Sequence, residues 1–164
     1  MRVARRFLLI AVVLAGIAFC PAPGASAGPS ALGETSADKC PVCGMFVSRY
    51  PDWVARVELS SGQARFFDGC KDMFRYLANP SAHEPSGAQG LDPAELLVLD
   101  YYALAPVNAR DAWFVIGSDV LGPMGHELIP FASEAAAREF MADHKGQRIL
   151  RYGDVTPEIL KGLK

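Results

Sequence analysis

Apolar and polar positions alternate from Trp53 to Leu59, where Trp-Val-Ala-Arg-Val-Glu-Leu places Arg56 and Glu58 on one face. This period of two predicts a half-buried strand. Ser60-Ser61-Gly62 is a turn signal, and Gln63 to Phe67 reads as the return strand of a hairpin. Asp68-Gly69 stops that strand, with Asp68 the expected cap of a following helix. In the helix Cys70, Phe74 and Leu77 share a face, Met73 lies beside them, and Asn79-Pro80 ends the run. Residues 81–93 hold several glycine and proline breaks and predict a loop; Leu96 to Tyr102 predicts a buried strand. The order then recurs. Ala112 to Gly117 is a predicted strand, Gly122-Pro123-Met124-Gly125 a turn, and Glu127 to Phe131 a strand. A helix capped by Ser133 runs from Glu134 to His144, with Ala136, Phe140 and Met141 inward. Gly146 stops it, and Arg148 to Tyr152 is a last strand.

Strand, strand, helix and strand thus occur twice, which suggests an internal repeat resting on element order more than on identity. Each unit is too small to bury a good core alone. The expected fold is therefore α+β, two small strand–strand–helix–strand repeats packed together, with units at 39–105 and 106–164.

The N-terminal stretch has another character. Arg2, Arg5 and Arg6 precede an apolar run from Phe7 to Phe19, and Ala25-Ser26-Ala27 offers a small-residue cleavage site. Residues 1–27 therefore read as a secretory signal peptide, the apolar run being shorter than the ~20 residues that span a bilayer. Cys20, in Ile17-Ala18-Phe19-Cys20, is an alternative lipid-anchor site, with Phe19 where a small residue is expected. Residues 28–38 are small and polar and read as a flexible linker. Without residues 1–27 the chain keeps 13 basic and 18 acidic residues, a net charge of −5. No basic patch for nucleic acid remains. Export places Cys40, Cys43 and Cys70 in an oxidising compartment such as the periplasm, where an odd number cannot all pair within one chain.

The chemistry concentrates in Cys40-Pro41-Val42-Cys43-Gly44-Met45. Two thiols separated by two residues reach one ion when the chain turns tightly, and Gly44 permits such a turn. Met45 adds a thioether, and thiolate with thioether selects Cu(I) over hard ions. A plain disulfide, a redox-active pair and a core-filling Met45 are the competing readings. Cys70 opens a helix whose N-terminus favours a thiolate, against the reading of an inert buried cysteine. Met124 and His126 offer a thioether and an imidazole on one loop; His83 and His144 read as solvated and structural. Asp68, Asp72 and Asp100 have capping or surface readings. The chain has no serine elbow, phosphate-binding glycine loop or His-Glu zinc helix, so nothing suggests an enzyme.

Cys40-Pro41-Val42-Cys43-Gly44-Met45, Phe66-Phe67-Asp68-Gly69 with Lys71-Asp72-Met73-Phe74, and Gly122-Pro123-Met124-Gly125 together resemble the NosL family, exported copper-binding accessory proteins of nitrous oxide reductase. The resemblance runs from Cys40 onward. It implies a monomeric Cu(I) carrier of two strand–strand–helix–strand halves, which delivers copper to a multicopper reductase with the help of a membrane transporter. The ligands it implies are Cys43, Met45 and Met124, with Cys40, Cys70 and His126 as additions. The family is usually lipid-anchored, and Cys70 within the Phe-Asp-Gly segment departs from its pattern. The first half also resembles the small TRASH or YHS metal-binding modules, although the Cys43-to-Cys70 spacing is long for them. Two other function classes stand beside the carrier: a periplasmic thiol–disulfide oxidoreductase using Cys40 and Cys43, and a zinc-binding interaction module.

Overall fold

The computed structural model describes residues 31–84 and 92–163. The expected signal peptide, Cys20, and most of the 81–93 loop lie outside the described residues.

Antiparallel strands β1 (Ala55–Leu59) and β2 (Ala64–Phe67) form the first hairpin and lead into helix α1 (Cys70–Ala78). Strand β3 (Pro93–Leu99) then lies against the other edge of β1, antiparallel to it. Strand β4 (Pro106–Asn108) adds to β3, so the first sheet has the order β2-β1-β3-β4. In the second half strand β5 (Trp113–Ile116) is central. A two-stranded ribbon follows, β6 (Leu121–Gly122) with β7 (Gly125–His126). Strand β8 (Ile129–Phe131), helix α2 (Glu134–Asp143) and strand β9 (Arg148–Arg151) complete the sheet β8-β5-β9. A short helix α3 (Pro157–Gly162) ends the described chain.

The two halves share one topology. In each, the first strand is central, the second and third flank it antiparallel, and a helix joins those flanking strands. The α+β architecture and the repeated element order expected from the periodicity are both present.

Ser133 caps α2 as its sequence position suggests, its side chain accepting from the Ala136 N–H at 3.2 Å. The strand expected over 96–102 ends earlier, because the buried Asp100 carboxylate turns the chain. Its Oδ1 accepts from the N–H groups of Tyr102 (3.0 Å) and Ala103 (2.7 Å), and its Oδ2 from that of Ala132 (2.7 Å). The strand expected from Glu127 is likewise shorter, beginning at Ile129.

The cores do not divide at residue 105. β4, at the start of the expected second unit, completes the first sheet. Phe114, Leu128, Leu150, Leu160 and Leu163 all join the larger apolar cluster with Val57, Met73 and Leu96. Phe74 lies at that seam, with its ring 5.3 Å from that of Phe114 and 5.4 Å from that of Tyr152. A smaller cluster around Phe131, Ala137 and Phe140 packs α2 on the second sheet. The expected linker is anchored within its own span. Leu32 is buried in the larger cluster, and its carbonyl accepts from Arg56 Nη1 at 3.4 Å. An apolar side chain in that small polar stretch found a place in the core.

Candidate metal centre

The segment from Lys39 to Phe46 is a tight turn closed by an antiparallel bridge between those two residues. The Cys40 N–H donates to the Met45 carbonyl at 2.9 Å, and the Gly44 N–H donates to the Cys40 carbonyl at 2.8 Å. Closing the turn puts Gly44 at φ +79, the left-handed region that a side chain resists. The conformational freedom read into Gly44 from the sequence is used here.

The turn presents both thiols to the start of α1. The Cys40 thiol donates to Asp72 Oδ2 at 3.5 Å, and the Cys43 thiol faces Asp68 Oδ1 and Oδ2 at 3.3 and 3.4 Å. The ligand atoms of these four residues all lie within 4.8 Å of one another. Around a tetrahedral ion, with bonds of about 2.0–2.3 Å, ligand atoms stand roughly 3.3–3.8 Å apart, so a modest contraction would close the cluster on a metal. Cys40, Asp68 and Asp72 are buried, whereas Cys43 is half-buried and gives the cluster its access. Arg75 pairs with Asp72 at 3.1 Å and offsets part of the negative charge.

Both thiols hold their protons at neutral pH. Burial pushes the Cys40 thiol far above the ordinary range, and the Asp68 charge adds to it. Burial likewise pushes Cys43 up to about 11, opposed by hydrogen bonds from Met45 and Cys40. The two cysteines are free thiols, not a disulfide.

Asp68 is not the cap of α1. The helix begins after Gly69 without a side-chain cap from its own neighbourhood. Glu127, reaching over from the other repeat, takes that place: its Oε1 accepts from the Lys71 N–H and, at 2.9 Å, from the Leu128 N–H. A side chain at Gly69 would put a Cβ 2.5 Å from Glu127 Oε2, so a larger residue there would push the Glu127 carboxylate out of its place. With the helix end satisfied from afar, Asp68 is released to face Cys43. Burial raises the Glu127 carboxyl to about 7, against the lowering effect of the Leu128 and Lys71 hydrogen bonds.

The remaining sequence candidates separate. Cys70 lies in the core and is not in the cluster; burial, with the Glu127 charge, raises its thiol well above the ordinary value. That corrects the expectation of a thiolate favoured by the helix N-terminus, since full desolvation outweighs the helix field. Met45 is half-buried at the closing end of the turn. Met124 is exposed at the tip of the β6–β7 ribbon, with His126 also exposed on β7. This tip is tied to α1, because the Lys71 ammonium donates to the carbonyls of Met124 and His126, each at 2.6 Å.

Asp68, Asp72, Lys71 and Glu127 were not among the site residues expected from sequence. A signal for the two aspartates did exist: a spacing of four across a helix start puts both on one side of α1. Lys71 was marked only by its place in the motif Lys71-Asp72-Met73-Phe74, and nothing local marked Glu127.

Among solved structures, the chain is similar to the crystal structure of the copper chaperone NosL from Shewanella denitrificans. The identity is 25%, the TM-score 0.62, and the match covers 76% of this chain and 93% of that one. It is also similar to the solution NMR structure of the apo-NosL protein from Achromobacter cycloclastes, with 24% identity, a TM-score of 0.48, and coverage of 65% and 87%. No curated protein matches the chain. The family model described as NosL matches residues 32–160, from the buried Leu32 through the Cys40 turn and the Met124 ribbon to α3, and the chain belongs to the NosL family.

Proposed function

We propose that this protein is an exported, monomeric Cu(I) carrier that passes copper to a multicopper reductase, with nitrous oxide reductase the first candidate client and a membrane transporter as its partner. The observation that carries the reading is the pair of free thiols, Cys40 and Cys43, gathered on one side of a tight turn within a four-residue metal-type cluster. It is supported by the similarity to a protein described as a copper chaperone.

Copper is the cargo. Loading replaces the two thiol protons with the ion, and the protons pass to Asp68, Asp72 or water. Thiolates of Cys40 and Cys43 then hold Cu(I), with the thioethers of Met45 and Met124 as soft additional donors. Buried Cys40 retains the ion, while half-buried Cys43 and exposed Met124 are the ligands a client can displace first. Release proceeds by ligand exchange without freeing the ion into solvent.

Disulfide exchange has less support. Its attacking cysteine needs a low pKa, and both thiols here are raised. Zinc is favoured by one specific observation, the two carboxylates in the cluster, because a borderline ion accepts oxygen donors more readily than Cu(I) does.

The test is anaerobic titration of the reduced protein with Cu(I) against a chromogenic chelator, repeated with Zn(II). One Cu(I) held per chain, with Zn(II) much weaker, is the expected result. Tight Zn(II) without Cu(I) competition makes the protein a zinc module. No metal uptake at all ends the carrier reading.

A further inference from the structure

The candidate ligands lie in different repeats: Cys40, Cys43, Asp68 and Asp72 in the first, Met124 and His126 in the second. One side chain joins them. Lys71 follows Asp68 and precedes Asp72 on α1, and it is only 1% exposed. A lysine is seldom buried so completely, because its charge must be compensated. Its ammonium is used on two main-chain carbonyls, Met124 O and His126 O, each at 2.6 Å. Its own N–H donates to Glu127, so one residue of α1 holds three of four consecutive positions in the other repeat.

The ribbon that carries Met124 needs such support. β6 and β7 have two residues each and pair with neither of the larger sheets. A lone two-stranded ribbon is marginal in water. Besides Lys71, the side chains of Glu127 and Trp53 approach the ribbon at Gly122.

The geometry points to Lys71 as the positioning residue that binds the Met124 ribbon to the Cys40–Cys43–Asp68–Asp72 cluster, so that the two repeats build one metal site instead of two. Lys71 touches no metal; it acts through Met124. The inference rests on the Cu(I) reading for its consequence, but its structural content is separate.

The experiment therefore begins without metal. Methyl-¹³C methionine labelling reports Met124 on the ribbon and Met73 in the core of α1 itself. In Lys71→Leu the Met124 methyl is expected to sharpen and move toward its unstructured position, while Met73 stays in place. Cu(I) competition then follows. Lys71→Leu is expected to weaken binding by about tenfold, the loss of a pair of charge-assisted hydrogen bonds being ample for that. Adding Met124→Ala to it should weaken binding no further. An unmoved Met124 methyl overturns the inference, and so do losses from Lys71→Leu and Met124→Ala that simply multiply. A displaced Met73 methyl signals lost folding, and Lys71→Gln then takes the place of Lys71→Leu with the same two outcomes. Failure of the parent protein to take Cu(I) removes the proposed function but leaves the methyl result to decide on Lys71. A parent that binds Cu(I), with a folded Lys71→Leu of equal affinity, overturns only the role of Lys71.

Discussion

Glu127 stands between the two repeats with its carboxyl fully buried, and replacing it by glutamine makes a quantitative test of that placement. Burial raises its pKa from the ordinary 4.5 to about 7. In the unfolded chain the same carboxyl returns to its ordinary value. Between these limits the folded state binds the extra proton, so stability falls as pH rises. The contribution is fully present below pH 4.5 and is lost as pH passes through 7. With ~1.4 kcal/mol for each unit, the shift amounts to about 3 kcal/mol. Glu127→Gln retains the Oε1 acceptor for the Lys71 and Leu128 N–H groups and cannot ionise. The expected outcome is that parent and variant are close in stability near pH 5. At pH 8 the variant should have gained on the parent by as much as about 3 kcal/mol. The assay is urea unfolding of the reduced, metal-free protein at both pH values, taking the difference between the two proteins so that other titrating groups cancel. A difference that does not change with pH refutes the reasoning, because the carboxylate would then be solvated or paired more strongly than its burial implies.

Other outcomes follow from the same geometry. Alkylation of Cys43 in the metal-free protein should accelerate with a midpoint near pH 11, with Cys40 lagging; a midpoint below 9 would contradict the raised thiols. Gly44→Ala places a side chain at φ +79 with nothing nearby to clash, so its cost is conformational, about 1 kcal/mol. That loss should appear in urea unfolding, while the Cu(I) affinity of the folded protein changes little, because the turn is already closed without metal. Phe74→Ala removes the ring that touches Phe114 and Tyr152, and about 3–5 kcal/mol of stability should go with it. Near-ultraviolet circular dichroism should then show one lowered transition for the whole molecule, and two separate transitions would mean that the halves are independent.

Features governed by neighbours along the chain were legible in advance. The alternation from Trp53 to Leu59 became β1, and the helical spacing after Asp68 and Ser133 became α1 and α2. The turn through Cys40, Cys43 and Gly44 was visible because its closure is local, within seven residues of one bridge. β4 and α3 were missed for the converse reason. Three residues in β4 and six in α3 carry too little period to stand out, and each is held by what it packs against. The β6–β7 ribbon appeared in the sequence only as a turn.

The chemistry at the start of α1 shows where local reading ends. Asp68 before a helix is a natural cap, and Cys70 at the helix start a natural thiolate. The first gave way because Glu127, arriving from 56 residues away, took the helix end, and the second because burial strips Cys70 of solvent. Sequence alone determined the strand–strand–helix–strand order that recurs in the two halves, the two thiols on one turn and the soft donors available to it. The tertiary structure decided that Asp68 and Asp72 face those thiols, that Cys70 is desolvated in the core, and that Lys71 spends its charge on the Met124 ribbon. The reason is physical: periodicity and turn formation depend on neighbours a few residues apart, whereas the state of a buried charge depends on which distant groups are brought close enough to share its hydrogen bonds.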